Sequence, residues 1–123
     1  MPAKVTALIP MAHVADVQRS VDFYRLLGMD VRGSLRNPSG ELQWVHLGCD
    51  QAEAMFTLAS EPVIAHQQAV LFYLYSPQLV QLREHLLANG VKVSQITYPS
   101  YMPKGEIRME DPDGYVLLIG QSG

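Results

Sequence analysis

The chain has 123 residues, of which 48% are hydrophobic and 17% are charged, so it can bury a core and is too apolar for a disordered segment. Its net charge of −3 comes from scattered acidic and basic residues, which disfavours nucleic acid as a partner. There is no apolar run near the ~20 residues of a membrane span and no signal-peptide pattern, so we expect a cytoplasmic protein without a membrane partner.

The first half of the chain predicts a strand, a helix and three further strands. Residues 5–14 are an apolar run that predicts a strand. A helix follows, for which Asp16 is a suitable N-cap and Gly28 a suitable end. Three more strands are predicted at residues 29–35, 41–48 and 54–60, the first two on either side of the turn RNPSG. Cys49, the single cysteine, follows the second of these three strands and is expected to be a bystander thiol.

The second half repeats this order. A strand is predicted at residues 69–75, and a helix follows with Ser76 at its cap and Gly90 after its end. The remaining strands are predicted at residues 91–96, 106–110 and 115–120, with a loop at 97–105 and the turn DPDG before the last strand.

The repeat predicts one α+β domain, residues 1–123, built from two βαβββ modules of about 4–60 and 68–121. We expect a cupped sheet of mixed or antiparallel strands that curves around a cleft, with the helices on its outer face. We also expect a homodimer, because paired modules with an open cleft leave apolar surface uncovered.

Two motifs carry a resemblance to a known family. The stretch IPMAHVADVQRSVDFYRLLGMDV resembles the opening of the glyoxalase/bleomycin resistance/dioxygenase superfamily, also called the vicinal oxygen chelate fold. The stretch EDPDGYVLLIG resembles the closing motif of that family. The match covers essentially the whole chain, and it implies the fold more strongly than any one activity, because this fold hosts many chemistries.

The resemblance also implies where a metal would be held. In metal-using members, four cleft positions supply His, Gln or Glu ligands. They fall here on Ile9, at or beside Thr57, on about Val70, and on Leu118. Isoleucine, valine and leucine have no donor atom and threonine is a poor ligand. We therefore expect no metal and no cofactor, with Leu118 forming part of an apolar cleft wall.

Other residues are candidates for binding a ligand. His13 shares strand parity with Met11 and should face the cleft, where it suits a ligand carboxylate or hydroxyl, the role of a base, or only a backbone partner. Trp44 alternates with His46, and the pair suits either a planar ligand or a half-exposed position at a dimer interface.

Phe72 shares parity with position 70 and is predicted in the cleft, which directs Tyr73 and Tyr75 to the helix side. Tyr101 lies in the apolar loop 97–105, which suits either a lid over the ligand or a stretch covered by a second subunit. Arg108 is suited to anchoring an anion, although a solvated strand face is the ordinary role for such a residue.

These observations favour a metal-independent protein that sequesters an apolar or aromatic small molecule, as the resemblance to bleomycin-resistance proteins implies. The predicted ligand-binding residues are Met11, His13, Trp44, His46, Thr57, Phe72, Tyr101, Arg108 and Leu118. The alternative is a glyoxalase-like lyase or isomerase, or a dioxygenase-fold enzyme, acting on a small oxygenated substrate with His13 or Glu106 as the base. A structural or regulatory dimer without a ligand is the third hypothesis.

Overall fold

The computed structural model describes residues 3–123. The chain forms two compact units, of which unit 1 ends at Pro62 and unit 2 is Val63–Gly123. Each unit has one helix and one sheet of mixed parallel and antiparallel strands, so the predicted α+β class is confirmed. Neither helix of the described residues is long and apolar enough to cross a membrane.

Unit 1 has a four-stranded sheet in the order β1-β4-β3-β2. Its elements are β1 Met11–Val14, α1 Val17–Arg25, β2 Asp30–Arg36, β3 Leu42–Cys49 and β4 Ala52–Leu58. The predicted N-cap is confirmed, since the Asp16 side chain accepts a hydrogen bond from the Arg19 amide at 3.1 Å. Helix α1 buries Tyr24, whose ring stacks on that of Phe56 in β4 with centroids 4.6 Å apart.

Unit 2 has a three-stranded sheet in the order β5-β7-β6. Its elements are a short 3-10 turn at Ala65–Gln67, β5 Phe72–Ser76, α2 Leu79–Ala88, β6 Glu106–Glu110 and β7 Val116–Gln121. The helix contributes Leu79 and Leu86 to a buried layer, and β7 contributes Leu117 and Ile119. Strand β7 lies between its two neighbours and is parallel to β5 and antiparallel to β6.

The turn before β7 forms as its sequence predicts. The Asp111 carboxylate accepts hydrogen bonds from the amides of Asp113 and Tyr115, at 2.9 and 3.0 Å. The Gly114 amide bonds to the Asp111 carbonyl, and Gly114 has a φ of +93°, in the region that favours glycine. Asp111 is buried, so this carboxylate holds the turn from inside the unit.

Two predicted boundaries and one predicted strand are wrong. The first strand is limited to Met11–Val14. Helix α2 begins at Leu79, and the Ser76 hydroxyl accepts a hydrogen bond from the Gln78 amide in the turn before it. Residues 91–96 form no strand, and within them only Val93 makes an isolated bridge to β6, with Met109. The cause is local, because the Arg108 amide donates to the Ser94 hydroxyl while the Ser94 carbonyl accepts from the Arg83 side chain. Side chains thereby take the place of a continuous backbone ladder.

Candidate functional site

The sheet of unit 1 has one face against α1 and an opposite face, which we call the open face. Val14, Val45 and Phe56 are fully buried on the α1 side. The residues that alternate with them point the other way, because successive side chains of a strand lie on opposite faces. The strand register aligns them in two rows across the sheet, Met11–Met55–His46–Gly33 and His13–Thr57–Trp44–Leu35.

Trp44 is the largest side chain of this open face. A Cβ atom added to Gly33 would lie 3.5 Å from two carbons of the indole ring, so the ring lies beside the position that a side chain at Gly33 would occupy. The centroid of the His46 ring is 6.4 Å from that of Trp44, with the ring planes tilted by 48°. An indole, an imidazole and the thioethers of Met11 and Met55 together give a broad, polarisable surface.

A charged cluster borders this surface. His46 Nε2 is 3.0 Å from Glu53 Oε1, and Arg32 Nη1 donates to the same oxygen at 3.1 Å. A Cβ atom on Gly48 would come within 2.6 Å of the Arg32 guanidinium, so the glycine leaves the room in which Arg32 lies. Glu53 fixes the imidazole orientation from one side, and the cluster supplies polar contacts at the edge of an aromatic surface.

His13 and Thr57 are paired across the parallel strands β1 and β4. His13 is exposed, and Thr57 is half-buried with its hydroxyl 3.4 Å from the Gln43 carbonyl. Five predicted site residues therefore share the open face of unit 1. They are Met11, His13, Trp44, His46 and Thr57.

In unit 2 the predicted orientation of Phe72 is wrong. Phe72 pairs with Leu117, whose side chain is fully buried, and Leu74 likewise pairs with the buried Ile119. Phe72 packs 5.9 Å from the ring of Tyr115, on the α2 side of the sheet. The prediction counts the alternation of side chains from position 70. That position lies before β5, which begins at Phe72.

Tyr73 and Tyr75 consequently lie on the face of the unit 2 sheet opposite α2, the open face of unit 2. They share it with Glu106, Arg108 and Leu118, through their pairing with β7 and β6. Leu118 is half-buried, and the exposed Arg108 places Nη1 3.5 Å from Glu110 Oε2.

Glu106 accepts two phenolic hydrogen bonds on this face. The Tyr73 hydroxyl donates to Oε2 at 2.5 Å, and the Tyr101 hydroxyl donates to Oε1 at 3.0 Å. These bonds raise the pKa of both tyrosines, since loss of the phenolic proton would remove the bond to the carboxylate. Both phenols therefore remain donors at neutral pH.

Within residues 3–123, no group of three or more His, Cys, Asp or Glu side chains is placed to hold a metal ion. Metal independence stays a prediction from the sequence.

Burial, followed by the Asp50 charge, raises the pKa of the Cys49 thiol, which disfavours the thiolate that a nucleophile requires.

Several site residues escaped the sequence reasoning. Arg32 and Glu53 reach His46 only through the pairing of β2, β3 and β4, which includes an irregular register at Val31/Gly33. Tyr73 was assigned to the wrong face. The alternation of charged residues in EIRME was the one signal that pointed to Glu106.

Comparisons with known proteins agree with this architecture. Residues 9–119 match the family described as the Glyoxalase/Bleomycin resistance protein/Dioxygenase superfamily. No curated protein sequence matches the chain. Among solved structures, a bleomycin resistance determinant encoded on transposon Tn5 is similar at 15% identity, with 96% of this chain and 98% of that chain covered and a TM-score of 0.75.

Two further structures are of proteins that bind antibiotics. A bleomycin-binding protein complexed with bleomycin has 16% identity, coverage of 97% of this chain and 100% of that chain, and a TM-score of 0.68. The antibiotic binding protein TnmS3 from Streptomyces sp. CB03234 has 17% identity, coverage of 98% and 100%, and a TM-score of 0.69. At these identities the likeness shows the fold.

Proposed function

Because this chain belongs to the glyoxalase/bleomycin resistance protein/dioxygenase superfamily, we propose that it is a small-molecule binding protein that sequesters an apolar or aromatic ligand without a metal. The observation that carries the proposal is the composition of the open face of unit 1. Trp44, His46 and the thioethers of Met11 and Met55 lie together there, on a surface suited to a planar ring.

Binding on such a surface depends on desolvation and stacking. The methionine side chains adapt to the shape of a ligand, while the indole supplies a rigid contact. The edge cluster of Arg32, Glu53 and His46 can orient a polar substituent of the ligand by hydrogen bonds. Solved structures of the same fold include a complex with bleomycin and a second antibiotic binding protein, which supports this class of function.

We further propose that the protein acts as a homodimer in the cytoplasm. Val5 and Leu8 are 84% and 87% exposed in the segment before β1, and Val70 and Leu71 are exposed in the segment before β5. Exposed large apolar side chains in two segments are suited to contact with a second copy of the chain.

The proposal is tested by a thermal-shift screen of planar aromatic compounds and of bleomycin, with and without EDTA and divalent metals. We expect stabilisation by an aromatic compound that EDTA does not reduce. The same compound should change the fluorescence of Trp44, the single tryptophan. Stabilisation that requires an added metal would contradict the proposal.

Two variants then separate binding from catalysis. Trp44→Leu should weaken binding about two- to tenfold, because a good aromatic pair contributes about 0.5–1.5 kcal/mol beyond area burial. Tyr98→Leu, at an exposed aromatic residue outside both sheets, is the matched control. His13→Ala should reduce affinity by no more than one hydrogen bond, ~1–3 kcal/mol. If His13 were instead a general base, turnover of a substrate would fall by ~10²-fold or more with little loss of affinity.

A further inference from the structure

The open face of unit 2 contains a carboxylate with an unusual set of partners. Glu106 is a 7% exposed residue, and each of its carboxylate oxygens accepts a phenolic hydrogen bond, from Tyr73 and from Tyr101. Two O–H donors, one on each oxygen, are the pattern of an ionised carboxylate. A negative charge is therefore held at a nearly buried position by neutral donors.

The nearby cations of unit 2 are engaged elsewhere. Arg108, two positions along β6, directs Nη1 to Glu110 Oε2, and Lys104 Nζ donates to the Gly123 carbonyl at 2.6 Å. Among residues 3–123, no Lys, Arg or His lies within ion-pair distance of Glu106. Phenols compensate part of the charge, because they donate hydrogen bonds without carrying a positive charge.

Three tyrosine rings lie near this carboxylate on the open face of unit 2. The centroids of Tyr73 and Tyr75 are 5.2 Å apart with the planes tilted by 46°, and Tyr101 reaches the same carboxylate from the preceding loop. Tyr75 and Tyr101 are largely exposed, so their rings are accessible to a ligand. A phenol that donates to an anion gains electron density in its ring, which strengthens the attraction of the ring face for a cation.

The backbone beneath the cluster is shaped for it. Gly120 is the cross-strand neighbour of both Glu106 and Tyr75. A Cβ atom at Gly120 would lie 2.7 Å from the Met102 methyl carbon and 3.1 Å from the Tyr73 hydroxyl oxygen. The glycine therefore allows the Tyr73 hydroxyl and Met102 to lie directly over the sheet.

We propose that Tyr73, Tyr75, Tyr101 and Glu106 form a subsite within unit 2 for a cationic group, an ammonium or quaternary ammonium, of a small-molecule ligand. The inference goes beyond the binding proposed for unit 1, since it rests on contacts within unit 2 alone, and it names the ligand class of that unit as molecules with a positively charged group. The cation contacts the ring faces, and Glu106 supplies the opposite charge through the two phenols.

The test uses choline and its uncharged isostere 3,3-dimethylbutan-1-ol as probes, followed by NMR of protein labelled with ¹³C in its tyrosine rings. We expect choline to shift the resonances of Tyr73, Tyr75 and Tyr101 and to leave those of Tyr98 unchanged. The isostere should bind at least about fivefold more weakly, because it keeps the shape and lacks the charge. Raising the salt concentration should weaken the binding of choline and leave the binding of the uncharged isostere unchanged.

Two carboxylate variants provide the matched comparison. Glu106→Gln should weaken choline binding about fivefold or more, whereas Glu110→Gln, on the same strand and face but exposed, should change it by less than about twofold. Tyr101→Leu removes one exposed ring without touching the core and should also weaken binding, which keeps the test valid if Glu106→Gln does not fold.

Equal binding of choline and the isostere, equal effects of the two glutamine variants, or shifts spread over all tyrosines would overturn the inference. The two proposals fail separately. If neutral aromatic compounds quench Trp44 and choline moves no tyrosine, the binding function stands and the cationic subsite falls. If choline binds at the tyrosines and no aromatic compound reaches Trp44, the cationic subsite stands and the binding function proposed for unit 1 falls.

Discussion

Removing the Tyr73 hydroxyl tests the tyrosine–carboxylate cluster independently of any ligand. Tyr73→Phe deletes one oxygen and leaves the ring in place. The deleted bond is short, 2.5 Å, and charge-assisted, and its acceptor belongs to a residue that is only 7% exposed. The loss should therefore lower the free energy of unfolding.

The magnitude follows from the exposure of the two partners. A hydrogen bond to a charged group contributes about 1.5–3 kcal/mol when it is buried. Tyr73 is 38% exposed, so water can replace part of the lost bond, and we expect a loss of about 1–1.5 kcal/mol. With a urea m-value of about 1–2 kcal/mol/M, the midpoint of unfolding should fall by roughly 0.5–1.5 M.

Urea unfolding of wild type, Tyr73→Phe and Tyr75→Phe is the assay. Tyr75 is the more exposed neighbour on the same strand, and its loss of a hydroxyl should cost under about 0.5 kcal/mol. Unfolding of both variants at the same urea concentration would contradict the stabilising role of the Tyr73 hydroxyl.

The pH dependence gives a second check on the same bond. The hydrogen bond to Glu106, with burial and the Glu106 charge, raises the pKa of Tyr73 above its usual 10.0. A group whose pKa is higher in the folded state than in the unfolded state stabilises the fold fully at pH values below its unfolded-state pKa. This stabilisation is lost as the pH rises through its folded-state pKa. The difference in the free energy of unfolding between wild type and Tyr73→Phe should thus be constant from about pH 6 to 9 and shrink above about pH 10.

Two further predictions concern the thiol and the assembly. Because the pKa of Cys49 is raised above 9.0, its thiol should react slowly with iodoacetamide at neutral pH, and the rate should still rise above pH 9. A mass-spectrometric time course measures this rate. A half-maximal rate below about pH 8 would contradict the prediction. The protein should sediment above its 13.7 kDa monomer mass, and Leu8→Asp should reduce the dimer fraction while Ser39→Asp, in an exposed turn, does not. A monomeric wild type at micromolar concentration would remove the dimer proposal.

The sequence predicted best where one residue decides a local geometry. Asp16 and Gly28 bounded α1, and Asp111 with Gly114 determined the turn before β7, because caps and turns depend on a few neighbouring atoms. The order of strands and helices followed from these signals together with the apolar runs between them.

The sequence failed where the outcome depended on how strands and side chains pair in the folded unit. The run AVLFYLY is apolar at nearly every position, so its periodicity could not decide which side chains face α2, and Phe72 was assigned to the wrong face. Residues 91–96 have strand propensity, but Arg83 and Ser94 redirect their hydrogen bonds. The contact between His46 and Glu53 depends on the register of a hairpin that the sequence alone leaves open.

The position of β7 has a consequence for how the protein is made. This strand is the last element of unit 2 in sequence, yet it lies in the middle of the sheet, between β5 and β6. During synthesis β5 and α2 leave the ribosome before the strand that joins them to β6 has been translated. Because the pairing of β5 with β7 spans most of the unit, loop-closure entropy should make it slow, and a nascent chain that ends before Val116 leaves the edges of β5 and β6 unpaired. Translational pausing late in the message would therefore leave this unit most vulnerable to aggregation and to capture by chaperones.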